Sequence, residues 1–308
     1  MIKLEPYTSV FEEEYWSAVD KKIPAAIQQK ILNSCITFLP TCFWDGEAPN
    51  FKKLILAPYA KLKKAKEYIA STTQTQMEAE CFIPIGNDEF ERNDLYQEMY
   101  EAFDKVADSQ RKGMSMRVRL VKEADLTVCP YCNRDYINCR ADNVSGAQLD
   151  HFYSRSDNPI FAVSLYNLIP VCGNCNRVKS NKPDEFASPF DETIDWENEV
   201  KFVYESKSLQ KIKIDIKSQH AGIQNNIKGM RIEEAYQIHE SEILELLEKE
   251  QAYSKSQKEE FQKVLHKMKI SDEEVKHIIF GPKITREDMR KKPLGKMLSD
   301  MHKELKVY

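Results

Sequence analysis

Two Cys-x-x-Cys pairs, Cys129/Cys132 and Cys172/Cys175, constrain this chain more than any other feature in it. Each pair sets two thiols on one side of a tight turn, and two such turns brought together make the closed tetrahedral thiolate site that Zn²⁺ prefers. Residues 129–175 must then fold back on themselves, so the sequence predicts a middle region organised by structural zinc. The chain holds eight cysteines. Cys35, Cys42, Cys81 and Cys139 lack the paired spacing and read as small packing residues. No stretch is apolar enough to span a bilayer, and Met1–Pro6 leads into Glu12-Glu13-Glu14 without a signal-peptide pattern. The expected compartment is the cytoplasm, where reduced thiols ligate metals more readily than they pair.

At about 150 residues per domain the chain has room for about two domains, and its 42% hydrophobic content supports a real core. Three regions separate by pattern. Residues 1–125 read as a helical N-terminal domain, because Leu95, Met99 and Phe103 recur at i, i+4 and i+8 behind an Asn87-Asp88-Glu89 start. Residues 126–190 are broken by proline and glycine, and the turn cluster Asp142–Gly146 is expected to join strands at 135–140 and 147–152. Residues 191–308 begin with a hairpin whose strands, 200–204 and 211–216, are separated by Glu205–Ser208. From Ile223 onward the pattern is helical, with Ile232, Tyr236, Ile243 and Leu247 on one apolar face. The fold class is therefore α+β, a mostly helical chain around a small central core.

A net charge of −4 does not suggest a nucleic-acid binder, but the charge is uneven. Lys105, Arg111, Lys112, Arg117, Arg119 and Lys122 form a basic approach to the first knuckle. Lys283, Arg286, Arg290, Lys291, Lys292 and Lys296 form a second cluster, and Lys61, Lys63, Lys64 and Lys66 a third. Each cluster reads equally well as the solvated face of a helix or as a phosphate contact.

Cys-Pro-Tyr-Cys-Asn-Arg at 129–134, Leu149-Asp150-His151-Phe152-Tyr153, and the run from Leu165 through Asn167, Cys172, Cys175 and Asn176 to Lys179 resemble the HNH endonuclease family. The likeness is to its zinc-knuckle members in retron-associated and Septu-type antiphage systems, which work with an ATPase. It covers residues 129–182, about a sixth of the chain. It implies a ββα-metal core in which one strand delivers Asp150 and His151, a second brings Asn167, and a helix presents Asn176. His151 is then the general base, Asp150 and Asn176 hold the catalytic metal, and Asn167 ties the loop to the strand. Asn176 stands where many members have His. An Asp carboxylate with an Asn amide oxygen suits Mg²⁺ or Mn²⁺ rather than Zn²⁺. Arg177, Lys179, Arg155, Arg117 and Arg119 are the expected nucleic-acid contacts.

Two classes of function follow. One is a metal-dependent endonuclease cutting DNA, with RNA an open alternative because nothing here reads a 2′-OH. A single core of this kind nicks one strand, so a double-strand break would need a homo-oligomer or a second visit. The other class is a zinc-knuckle module that binds nucleic acid or protein without cutting. Asp150-His151 separates the two, because a binding module has no use for a base beside an acidic ligand. The helical flanks are expected to dock an ATPase or other sensor.

Overall fold

Thr8 opens the first helix by accepting a hydrogen bond from the Phe11 amide, and α1 (Ser9–Lys22) carries Glu12 in its first turn and Lys21 and Lys22 in its last. Both placements favour the helix dipole. Phe11, Tyr15, Ala18 and Val19 form its buried stripe. There follow α2 (Ala25–Phe38), α3 (Phe51–Ile55), α4 (Tyr59–Tyr68) and α5 (Gln74–Cys81). The computed structural model describes residues 1–86, 89–180, 182, 185–208, 211–252, 259–260, 263–264 and 271–308. Among these, no helix is long and apolar enough to cross a membrane.

The helix expected around Leu95, Met99 and Phe103 is present but begins later. Asn93 accepts from the Leu95 amide and starts α6 (Asp94–Ala107), which buries Tyr96, Met99, Phe103 and Val106. Glu89 belongs instead to β2 (Glu89–Arg92), antiparallel to β1 (Phe82–Gly86). Phe82, Ile83 and Ile85 favour extended backbone, and Asn93 stands immediately before the amphipathic repeat. The expected cap residues Asn87 and Asp88 lie outside the described residues. A short ribbon, β3 (Gln110–Arg111) with β4 (Met114–Ser115), turns at Gly113, whose φ of 77° favours glycine. It leads into α7 (Met116–Glu123), capped by Ser115.

In the middle region β5 (Gln148–His151) pairs antiparallel with β6 (Leu168–Val171), setting Asp150 opposite Ile169 and His151 opposite Leu168. α8 (Gly173–Lys179) follows at once. The expected strand at 135–140 does not form. Its backbone closes the first knuckle, with Cys129 N donating to Asp135 O at 2.9 Å and Val128 bridging Tyr136. Asn167 is not in a strand either. It ends a 3₁₀ turn, Leu165–Asn167, immediately before β6.

The rest of the chain begins with α9 (Trp196–Glu199), then β7 (Lys201–Ser208) antiparallel to β8 (Lys211–Lys217). Glu205–Ser208, expected as the connection, extend the strand, and Glu205 faces Lys213 across the ladder as an opposite-charge pair. The helices α10 (Ala221–Gly229), α11 (Ile232–Tyr236), α12 (Glu240–Ala252), α13 (Asp272–Phe280), α14 (Arg286–Lys291) and α15 (Gly295–Glu304) follow. The apolar face beyond Ile223 is divided, Ile232 and Tyr236 on α11 and Ile243 on α12.

One buried cluster runs through all three regions, from Leu4 and Phe11 through Leu149 and Val171 to Met297 and Met301. N-terminal helices grip the loop between β5 and β6. Tyr15 donates its hydroxyl to Val163 O at 2.9 Å, Tyr166 to Glu12 at 2.7 Å, and Ser164 to Leu54 O at 3.2 Å. The tail grips the opposite side, where Tyr236 donates to Cys132 O at 2.6 Å.

Candidate metal centre and adjoining cleft

The four knuckle thiols converge. Cys129, Cys132, Cys172 and Cys175 are buried, and their sulfur atoms all lie within 4.8 Å of one another. Each turn is preset by its backbone: Asn133 N donates to Cys129 O at 2.8 Å, and Cys175 N points to Cys172 Sγ at 3.4 Å. Hydrogen bonds from Cys129, Cys172 and Cys175 hold the Cys132 thiol well below the usual range, while burial pushes Cys129 up. Four thiols this close cannot all ionise on their own, and a dication removes that conflict by neutralising the thiolates. The donor set therefore fits a metal ion such as Zn²⁺, bound by four sulfurs in a closed site.

A cleft of about 540 Å³ opens beside this centre, lined by Gln148, Asp150, His151, Arg155, Arg117 and Asn176 among others. His151 Nε2 lies 2.9 Å from Ala162 O. A carbonyl only accepts, so Nε2 carries the proton and Nδ1 is left as the basic nitrogen. The ring packs edge-on against Phe103 of α6, with centroids 4.6 Å apart. Burial, then the Arg155 charge, pushes the imidazole down to about 3, so it is neutral at physiological pH. Asn167, 0% exposed, fixes the loop that supplies Ala162. Its Oδ1 accepts from Tyr153 N at 2.8 Å, and its Nδ2 donates to Phe161 O at 2.9 Å and Tyr153 O at 3.1 Å.

Asp150 is 4% exposed and already held. Tyr131, from inside the first knuckle, donates its hydroxyl to Oδ2 at 2.7 Å. Burial, then the Asp150 charge, pushes that phenol up, so it stays protonated and remains a donor. Lys179 Nζ lies 3.1 Å from both carboxylate oxygens. Asn176 donates Nδ2 to Gln148 at 2.7 Å, which leaves its Oδ1 as the ligand-type atom. A carboxylate has about four lone-pair sites, so Asp150 keeps accepting capacity beyond these contacts, and both it and Asn176 line the cleft.

Several expected contacts are placed elsewhere. Lys179 is 3% exposed and bonded to Asp150, His151 O and Phe152 O, so it is no phosphate contact. Arg119 is likewise buried, paired with Glu14 at 2.6 Å and Glu123 at 2.8 Å. Arg177 is exposed, and Arg117 and Arg155 reach the cleft. In the second basic cluster Arg290 donates to Lys3 O and Ala124 O, Lys291 bonds Asp125, and Lys296 pairs with Asp300 in the interior. Cys35 and Cys81 are packed as expected, whereas Cys42 is exposed. Tyr131 and Gln148 escaped the sequence reading. The period-2 rule places Gln148 on the same strand face as Asp150, a usable signal; for Tyr131 only its place inside the knuckle pointed that way.

Searches of protein-family models, curated proteins and solved structures found no match to this chain.

Proposed function

We propose that this chain is a metal-dependent HNH endonuclease that hydrolyses phosphodiester bonds in DNA. The observation that carries the reading is the placement of His151: its ring is oriented by the Ala162 carbonyl, which leaves Nδ1 free, and it lines a cleft together with Asp150, Asn176 and two guanidinium groups. Hydrolysis needs a base for the attacking water and positive charge on the phosphate oxygens. His151 takes the water proton at Nδ1. Arg155 and Arg117 orient the flanking phosphate, and the Arg155 guanidinium stacks over the Tyr100 ring, 3.8 Å from its centroid. A divalent ion held by Asp150 and Asn176 would supply charge stabilisation to the non-bridging and leaving oxygens. Asn167 holds the loop that orients His151, and Phe103 restricts the ring.

The test is incubation of purified protein with plasmid DNA and with structured RNA, in Mg²⁺ or in EDTA. Mg²⁺-dependent DNA cleavage is expected. Retention of DNA without cleavage in any divalent ion would instead assign a binding module. On the sequence resemblance alone, the reading extends to an effector of a bacterial antiphage system acting with an ATPase. Co-purification with the product of a neighbouring gene tests that extension.

A further inference from the structure

Asp150 is the acidic ligand of the proposed nuclease, yet its charge is already balanced from within. The Lys179 ammonium contacts both carboxylate oxygens and two backbone carbonyls, those of His151 and Phe152, at 3.1–3.2 Å. This is an oxygen cage filled by the protein's own cation. The Tyr131 hydroxyl takes a further lone pair of Oδ2. The rest of the cleft does not restore negative charge. Asp104 lines it too, but lies 3.5 Å from Arg117, and Arg155 stands free of any carboxylate among the described ion pairs. Asn176 and the neutral His151 contribute no charge. Counting the partners behind the lining, Lys179 on Asp150 and Asp108 at 3.5 Å from Arg117, three cations meet three carboxylates, so the cleft carries no net negative charge to draw a dication.

A dication meeting this surface alone gains little, since Coulomb attraction to Asp150 is opposed by an ammonium about 3 Å from the same oxygens. A phosphate changes the balance: its anionic oxygens satisfy Arg155 and Arg117 and add hard ligands to a shell that Asp150 and Asn176 leave mostly to water. Resting on the nuclease reading, we propose that Lys179 acts as an internal counter-cation to Asp150, so that the site binds a divalent metal only together with a phosphodiester. Lys179 is thus a positioning residue, and metal and substrate bind with positive cooperativity.

The test measures Mn²⁺ binding by water-proton relaxation, on the zinc-loaded full chain carrying His151→Ala, with and without a short DNA duplex. Asn176→Ala in the same background subtracts Mn²⁺ bound by the DNA itself. The expected result is site-specific Mn²⁺ affinity at least about tenfold higher with duplex than without, equivalent to about 1.4 kcal/mol of coupling. Lys179→Met should raise the duplex-free affinity by a similar factor, and the duplex dependence of the Lys179 protein stands as a test even if that variant does not fold. Equal Mn²⁺ affinity with and without duplex overturns the proposal, and Mn²⁺-dependent DNA cleavage by the chain that keeps His151 would leave the nuclease reading intact. Absence of site-specific Mn²⁺ in both conditions overturns the proposal together with the metal-dependent reading.

Discussion

His151 has a single free role. With Nε2 held by Ala162 O, the tautomer is fixed and only Nδ1 can take a proton. Replacing it with Ala should lower cleavage by about 10²–10⁴-fold, the usual contribution of a general base, while zinc content and DNA affinity persist. Single-turnover cleavage alongside a gel-shift assay checks this, and unchanged cleavage would remove His151 from the chemistry. Asn167 acts one step back, through three hydrogen bonds inside the core. Asn167→Ala leaves those backbone partners unsatisfied, so a loss of about 1–3 kcal/mol is expected, read as a lower urea midpoint, together with slower cleavage. The convergence of the four cysteines and the place of Asp150 and His151 in one cleft were legible in the sequence because adjacency and short spacing carry them. Lys179 was not. A surface lysine and a buried one look alike along a helix, and only the pairing of β5 with β6 brings Asp150 beneath it. Tyr131 went unread for the same reason, as its partner lies nineteen residues on.

At the scale of elements, the first knuckle is built from more than its own loop. Asn133 is fully buried at φ 53°, in the left-handed region that Asn tolerates better than most residues. Its Nδ2 donates to Met289 O at 2.7 Å, its Oδ1 accepts from Lys296 N at 2.8 Å, and its carbonyl accepts from Leu294 N at 2.7 Å. Thus α14 and α15 are pinned to the knuckle loop by the Asn133 side chain, and the turn between them by its main-chain carbonyl. Asn133→Ala should cost about 2–3 kcal/mol from the unsatisfied partners and make zinc easier to strip with a chelator, whereas a surface change such as Lys64→Ala should do neither. Changing Cys129, Cys132, Cys172 or Cys175 to Ser should be more severe, because structural Zn²⁺ contributes about 10 kcal/mol or more of folding free energy. Metal analysis and thermal melting decide it: a parent protein purified without tightly held zinc, with Ser variants that melt like that parent, would refute the metal centre. The amphipathic helices were readable from periodicity. The residue pattern alone missed the partner of β5, since residues 135–140 have strand-like composition and only the closing of the knuckle diverts their backbone, whereas the resemblance put a second strand at Asn167, one residue before β6.

The whole molecule sets limits on how its flanks can serve a partner. A tail lying outside the core could be removed with loss of docking alone, and the sequence allowed that arrangement. The structure does not. Tyr236 bonds the Cys132 carbonyl, Met297 and Met301 belong to the central cluster, and Arg290 ties the tail to Lys3 and Ala124. Phe202 N donates to Asp300, linking the β7 hairpin to α15, and Asn226 bonds the backbone of Ala187 through both its oxygen and its nitrogen. Deleting residues 223–308 therefore removes one wall of the core and the support of the first knuckle at once. The expected product is zinc-poor and either insoluble or without a cooperative melt. Zinc stoichiometry and circular dichroism of the truncated chain test this. A truncated chain that keeps zinc and melts cooperatively would mean that the contacts to Cys132 and Asn133 are dispensable. Only in that outcome does tail deletion separate partner docking from folding; otherwise docking has to be probed by substitutions on the outer faces of α12 and α13, whose inner faces hold Ile243, Val275 and Ile279 in buried positions.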